Sequence, residues 1–206
     1  RKLFAEFQSL YPVDPRGAQI GLLFGDMLRE EKKPKEAVEQ FRRVAARWPG
    51  TSEATRAHVS AAEVLEESEE FEAALQEYAK GGASPKVEEL RTKSIYLESE
   101  RVFPTTDAPA ATVTCRNFQK IHFRLWALDL KDYFEKKGST AGLHSVEVTV
   151  IAPDQEWDVD VKEFKRFKKH KFAVPLPVKA AGAYILQGRA ENLEATTVVL
   201  VSDLAF

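Results

Sequence analysis

Residues 41–49 read FRRVAARWP. Phe41, Val44, Ala45 and Trp48 recur at spacings of three and four, one face of a helix, until Pro49-Gly50 stops it. Residues 4–12, FAEFQSLYP, also open on Phe and close on an aromatic followed by Pro. The same step of 37 residues separates Phe4 from Phe41 and Phe41 from Tyr78 (41 less 4, 78 less 41), and also Pro12 from Pro49. It relates Asp14 to Thr51, Gly25 to Ala62, Leu28 to Leu65 and Ala37 to Ala74. A fixed period in which small and large apolar residues keep register is what stacked helical hairpins produce.

The helices are placed by their punctuation. Asp14 before Pro15 reads as an N-cap with Pro at the first helical position, followed by Ile20, Leu23, Phe24, Met27 and Leu28. Pro34 starts the next helix, with Ala37, Val38, Phe41, Val44, Ala45 and Trp48 on one face. Thr51 caps a third, through Ala54, Ala57, His58, Ala61, Ala62 and Leu65. A fourth carries Phe71, Ala74, Leu75 and Tyr78 and ends on Gly81-Gly82, where a positive φ closes the helix. Ser84-Pro85 caps a shorter fifth through Val87 and Leu90.

After about residue 94 the period changes from helical to alternating. Ile95, Leu97 and Ser99, then Val113 and Cys115, then Ile121, Phe123, Leu125 and Ala127 alternate with polar residues, as half-buried strands do. LKDYFEKKG reads as a helical turn or two. Further strands are predicted at SVEVTVIA from Ser145, WDVDVKEF from Trp157, KFAVPLP from Lys171, GAYILQGRA from Gly182 and TTVVLVSDL from Thr196. Seven or eight strands with turns between them predict an antiparallel β-sandwich of immunoglobulin or fibronectin type III size. Pro175 and Pro177 belong on an edge or at a strand end, and Gly182 is expected to supply a turn before its strand. The expected division is residues 1–93, helical, and 94–206, sandwich.

The totals bound what such a chain can do. Its 206 residues carry 30 basic and 32 acidic side chains, so no global field calls for nucleic acid or an anionic membrane. Cys115 is the one cysteine, which excludes an internal disulfide and a multi-cysteine zinc site, and it reads as a buried thiol in a strand. No apolar run has the length of a membrane span. Both ends break off inside predicted elements, so the chain is expected to be a piece of a longer one.

The helical half resembles the tetratricopeptide repeat. The small residue where two helices cross is Gly25 or Ala62, and the Ala, aromatic and terminal Pro of the second helix are Ala37, Phe41 and Pro49, then Ala74 and Tyr78 with no Pro. The period departs from that family's ~34 residues. The resemblance implies a partner-binding inner face at Gln19, Asp26, Arg29, Arg56, Ser60 and Glu63, against which stands a plainly solvated helical face.

Residues 112–206 resemble a macroglobulin-type sandwich from the N-terminal region of bacterial alpha-2-macroglobulin-like proteins. The carriers are Arg116-Asn117 before a strand running into Trp126 and Asp129, Leu176-Pro177, Gly182-Ala183-Tyr184, and Val201-Ser202-Asp203-Leu204. The resemblance implies a secreted, periplasmic or cell-surface protease-trapping protein whose other domains are this piece's partners. The Cys-Gly-Glu-Gln-like thioester motif of that family is absent, because Cys115 sits in TCRN. A non-catalytic module without cofactor is therefore expected.

Sharper readings meet blander ones. KEFKRFKKHKF, residues 162–172, mixes cations with Phe164, Phe167 and Phe172 and could suit single-stranded nucleic acid. The acidic DQEWDVDVKE before it would repel phosphate, so a cationic sandwich rim, with a strand turning into a loop, is expected instead. His58, His122, His144 and His170 show no metal-ligand spacing. Asp129, Asp132 and Glu135 could take calcium but read as surface carboxylates. Trp157 is the fair candidate for a sugar platform. The alternatives kept open are a peptide-binding helical adaptor and a carbohydrate-binding surface protein.

Overall fold

Residues 14, 16–99, 101–128 and 152–203 are described by the structure, a computed structural model. They fall into two units, Arg1–Arg91 and Thr92–Phe206. The stretch at 4–12, the turn expected in LKDYFEKKG with Asp129, Asp132 and Glu135, His144, and the strand expected from Ser145 lie outside the described residues.

The first unit contains α1 (Arg16–Glu30), α2 (Pro34–Arg47), α3 (Ser52–Glu67), α4 (Phe71–Lys80) and α5 (Ser84–Arg91). Their starts follow side-chain chemistry. Asp14 accepts from the Arg16 N–H at 2.8 Å, and Thr51 Oγ1 accepts from the Ala54 N–H at 3.2 Å, each satisfying a donor that an N-terminal turn leaves unpaired. Gly50 and Gly82 take φ of +76° and +67° just beyond α2 and α4, conformations that cost a side chain steric strain. Trp48, expected on the apolar face of the second helix, instead ends it. The residue before Pro49 is pushed out of helical geometry, and Trp48 sits half-buried with the Arg47 guanidinium 5.3 Å above its ring.

The repeat positions pack where small must meet large. Ala37, Phe41, Ala62 and Ala74 are fully buried and Tyr78 is nearly so, while Pro49 is exposed. A Cβ at Gly25 would lie 2.4 Å from Phe41 Cε1, so the ring occupies the space that any side chain on α1 would need. The Tyr78 hydroxyl donates to Glu66 Oε2 at 2.7 Å, and burial together with that carboxylate pushes its pKa up.

The second unit is two antiparallel sheets over one core. β1 (Ser94–Glu98), β2 (Ala110–Arg116) and β5 (Lys169–Pro175) form a sheet in the order β1-β2-β5. β3 (Lys120–Leu128), β4 (Gln155–Asp160), β6 (Gly182–Ala190) and β7 (Leu193–Val201) form the other, ordered β4-β3-β6-β7. Alternate residues of both face inward: Ile95, Val113, Cys115, Ile121, Phe123, Leu186 and Val199 belong to one buried cluster. Phe103 stitches one side of the pair of sheets. Its N–H donates to the Leu200 carbonyl at 2.9 Å, and its carbonyl accepts from the Ser202 N–H at 2.7 Å. Next to it the Asp203 carboxylate accepts from the Thr105 N–H at 2.7 Å.

Three departures from expectation have a local reason. The run at 162–172 is a loop turning into a strand, not the reverse, because Glu163 and Phe167 take φ of +51° and +70° and β5 begins only at Lys169. β7 begins at Leu193, three residues early, because Glu191 (φ +52°) and Asn192 alone connect the paired Ala190 and Leu193. That two-residue turn lacks the Asn-Gly or Asp-Gly signal that would have announced it. Gly182 supplies no left-handed turn. It is the first residue of β6, and the Tyr184 ring folds back over it to donate its hydroxyl proton to the Ala180 carbonyl at 2.9 Å.

Asn117 links three segments. At φ +64° its amide donates to the Thr92 carbonyl at 3.2 Å while Oδ1 accepts from the Phe167 N–H at 2.7 Å. Asn tolerates the left-handed region better than most side chains, and Ala loses both bonds. Asn117→Ala is expected to lower stability by about 2 kcal/mol and Asn117→Gly by less, since Gly removes the backbone strain. Urea midpoints of the two variants check the order.

Candidate functional site

The residues expected to bind a partner lie on α1 and α3, and the structure divides them. Toward the N-terminal ends, Gln19 and Arg56 line an open groove of about 470 Å³ together with Leu22, Leu23, Ser52 and Glu53. Leu23 is 66% exposed there, a large apolar side chain facing solvent between polar neighbours. Gln19 Nε2 reaches Glu53 Oε1 at 3.5 Å, and the Ser52 hydroxyl holds the Glu53 carboxyl below its ordinary pKa.

Toward the C-terminal ends the face is latched. Arg29 donates to Glu63 at 2.9 Å and forms a second ion pair with Glu67, so its guanidinium is held charged and α1 is tied to α3. Arg29 and Glu63 therefore serve each other. Asp26 and Ser60 are half-buried and do not line the groove.

The most constrained polar residue of the helical unit is one that sequence reasoning passed over. Glu77 on α4 is 1% exposed and accepts from Arg42 Nε at 2.9 Å, from Lys80 at 3.2 Å, and contacts His58 Nδ1 at 2.7 Å. Burial alone would raise its pKa. The hydrogen bonds from His58, Arg42 and Lys80 outweigh burial and hold it below the ordinary carboxylate value. A signal was present: one period earlier stands Gln40, also buried, which donates to the Gly21 carbonyl at 3.3 Å. Gly21 is itself one period before His58. The same joint is thus made twice with different chemistry.

In the second unit, β3 and β4 carry a charge ladder on the outward face. Lys120, His122 and Arg124 stand opposite Asp160, Asp158 and Glu156 in register. His122 Nδ1 lies 2.8 Å from Asp158, and that contact leads in keeping the Asp158 pKa low. Trp157 faces the other way. Its ring stacks on Phe123 with centroids 5.7 Å apart, so one face of the expected sugar platform is spent on the core. Trp126 is buried with Ile185 in a separate small cluster.

Of the three phenylalanines at 162–172, Phe164 stacks on His170 and Phe167 is buried beneath Arg166. Phe172 remains half-buried. Among the described residues no three His, Cys, Asp or Glu side chains converge as a metal site, and no helix is long and apolar enough to cross a membrane.

No protein-family profile matches the sequence, and no curated protein matches it. Two solved structures are similar to it at a distance, both of native alpha-2-macroglobulin from Escherichia coli. One spans domains NIE-MG1, at 15% identity and a TM-score of 0.39 over 56% of this chain and 62% of that one. The other spans MG0-NIE-MG1, at 15% identity and a TM-score of 0.41 over 55% of this chain and 40% of that one. The chain thus covers less than two thirds of either structure, and similarity of this degree fixes neither fold nor function.

Proposed function

We propose that the chain is a non-catalytic framework and contact module of a protease-trapping inhibitor of the bacterial alpha-2-macroglobulin kind, secreted, periplasmic or displayed at the cell surface. In this reading tetratricopeptide-like hairpins precede an immunoglobulin-like macroglobulin sandwich, and the other domains of a longer chain are its partners. The sequence resemblance over residues 112–206 motivates it. The observation that carries the framework role is the state of Cys115. This sole sulfur nucleophile is fully buried between the sheets, and burial pushes its thiol up to about 11. Covalent capture cannot begin at such a group.

Two measurements follow. The folded chain should show no reaction of Cys115 with an aromatic disulfide reagent at neutral pH, and one full equivalent once denatured. Intact mass of the longer parent before and after methylamine, with this chain as control, should give an adduct on the parent alone. An adduct on this chain would sink the framework role.

A second reading, a peptide-binding helical adaptor, is favoured by the groove at Gln19, Leu23 and Arg56. Peptide capture by this face should weaken about tenfold on Leu23→Glu, and binding unaffected by Leu23→Glu would remove the reading. For a carbohydrate-binding role, one ring face of Trp157, the candidate sugar platform, is stacked on Phe123.

A further inference from the structure

Leu23 and Tyr96 are the exposed large hydrophobic side chains among the described residues, and Tyr96 is 62% exposed. It stands on the outer face of the β1-β2-β5 sheet, whose inner face is closed over the core by Ile95, Cys115 and Val174. Register sets its neighbours. Tyr96 lies opposite Thr114 and Thr114 opposite Lys171, so the three form a row across the sheet, about 10 Å from end to end. Two residues along, Lys169 lies opposite Arg116 and about 7 Å from Lys171 on the same face. Both lysines are exposed and alternate with the inward His170, so they point out of the sheet plane. Their position does not depend on any strand that pairs with the outer edge of β5. The side chains of Tyr96, Thr114, Lys169 and Lys171 make no hydrogen bond, ion pair or ring contact among the described residues. Glu98, the acid of this face, stands at the corner diagonally opposite Lys169.

We propose that this face binds an acidic polysaccharide built of uronic acids, with one sugar ring laid on Tyr96, a sugar hydroxyl at Thr114, and the carboxylates of neighbouring sugars at Lys171 and Lys169. A tyrosine ring is an apolar plane with a polar tip, matched to the apolar face and hydroxyl rim of a pyranose. Lysine is a point charge on a flexible stem, which suits carboxylates repeated along a chain. The local charge agrees. Residues 162–171 carry six of the 30 basic side chains and one of the 32 acidic ones, a positive pole on a chain of net charge −2. Other polyanions fit less well. An acidic peptide laid on the face finds no unpaired backbone beneath it, because the middle strand β2 is paired on both sides. A single-stranded nucleic acid is held by rings under successive bases. Here Tyr96 is the one exposed aromatic ring among the described residues, since Phe164 stacks on His170 and Phe167 is buried.

The probe is a fluorescent oligogalacturonate, which carries one carboxylate per ring, titrated into the full 206-residue chain and read by anisotropy. The expected result is saturable binding that weakens with salt, falls about tenfold in Tyr96→Ala and in K169E/K171E, and is kept in Tyr96→Phe. The two Tyr96 variants leave the charge untouched, so they separate stacking from simple attraction. All these positions are solvent-exposed, and an unchanged circular dichroism spectrum confirms that each variant folds. No saturable binding, binding undiminished in either Tyr96→Ala or K169E/K171E, or equal binding of the uncharged methyl ester of the oligomer overturns the proposal. So does tighter binding of an oligothymidylate or a polyglutamate peptide that is lost in K169E/K171E, which would assign the face to nucleic acid or to protein.

Discussion

Truncating Phe41 to Ala is expected to destabilise the helical unit by about 3–5 kcal/mol, the range for a buried aromatic whose site cannot collapse. Collapse is prevented because its neighbours are already minimal. Gly25 has no side chain to move into the void, and Ala37 lies one turn away on the same face. The partner experiment reverses the sense of a mutation. Gly25→Ala in the native background gains up to ~1 kcal/mol of helix propensity but places a methyl 2.4 Å from Phe41 Cε1, and overpacking of that kind costs about 1–3 kcal/mol. In the Phe41→Ala background the same substitution should stabilise. Unfolding by urea, followed by far-ultraviolet circular dichroism, gives the four free energies of the cycle. Simple additivity would show that the crossing of α1 and α2 does not depend on this contact.

Glu77 supplies the second large effect. Removing one partner of a buried ion pair typically costs 3–5 kcal/mol. Here Arg42 and Lys80 are 49% and 56% exposed and can return to water, so Glu77→Ala is expected to cost about 2–3 kcal/mol. Glu77→Gln should cost less, since the amide oxygen can still accept one bond. The pH dependence has a fixed sign. A carboxylate whose folded pKa lies below its unfolded value of 4.5 contributes its full stability above that value and loses it as pH falls through the folded pKa. The gap between the native chain and Glu77→Gln should therefore close progressively below about pH 4.5. A gap that widened on acidification would mean that Glu77 is held as the neutral acid.

What sequence revealed and what it hid separate along physical lines. Helix starts were legible at Asp14 and Thr51 because capping is local, and helix ends at Gly50 and Gly82 because a positive φ is a local demand. β-strands were legible where one face is buried, as in Ile121, Phe123 and Leu125, since alternation records the core. The turn at Glu191-Asn192 was not, because it lacks the glycine that usually marks a two-residue hairpin, and the loop at Phe167 was not, because Asn117, far away in the chain, holds its backbone. On the helical face, the resemblance pointed to a set of residues but not to their use. That Arg29 is consumed by Glu63 and Glu67, while Arg56 borders open space, depends on how far α1 and α3 stand apart.

Stacks of similar hairpins have a hazard of their own: a hairpin can settle on the wrong neighbour, since every apolar surface fits every other tolerably. Gln40 and Glu77 work as unlike keys against it. The Gln40 amide needs an acceptor and finds the Gly21 carbonyl, whereas the Glu77 carboxylate needs donors and finds His58, Arg42 and Lys80. Were α4 to settle on α1 in place of α3, the carboxylate would face the Gly21 carbonyl, oxygen against oxygen, in a dry interface. A one-hairpin slip would thus carry an electrostatic penalty that the hydrophobic pattern alone would not impose.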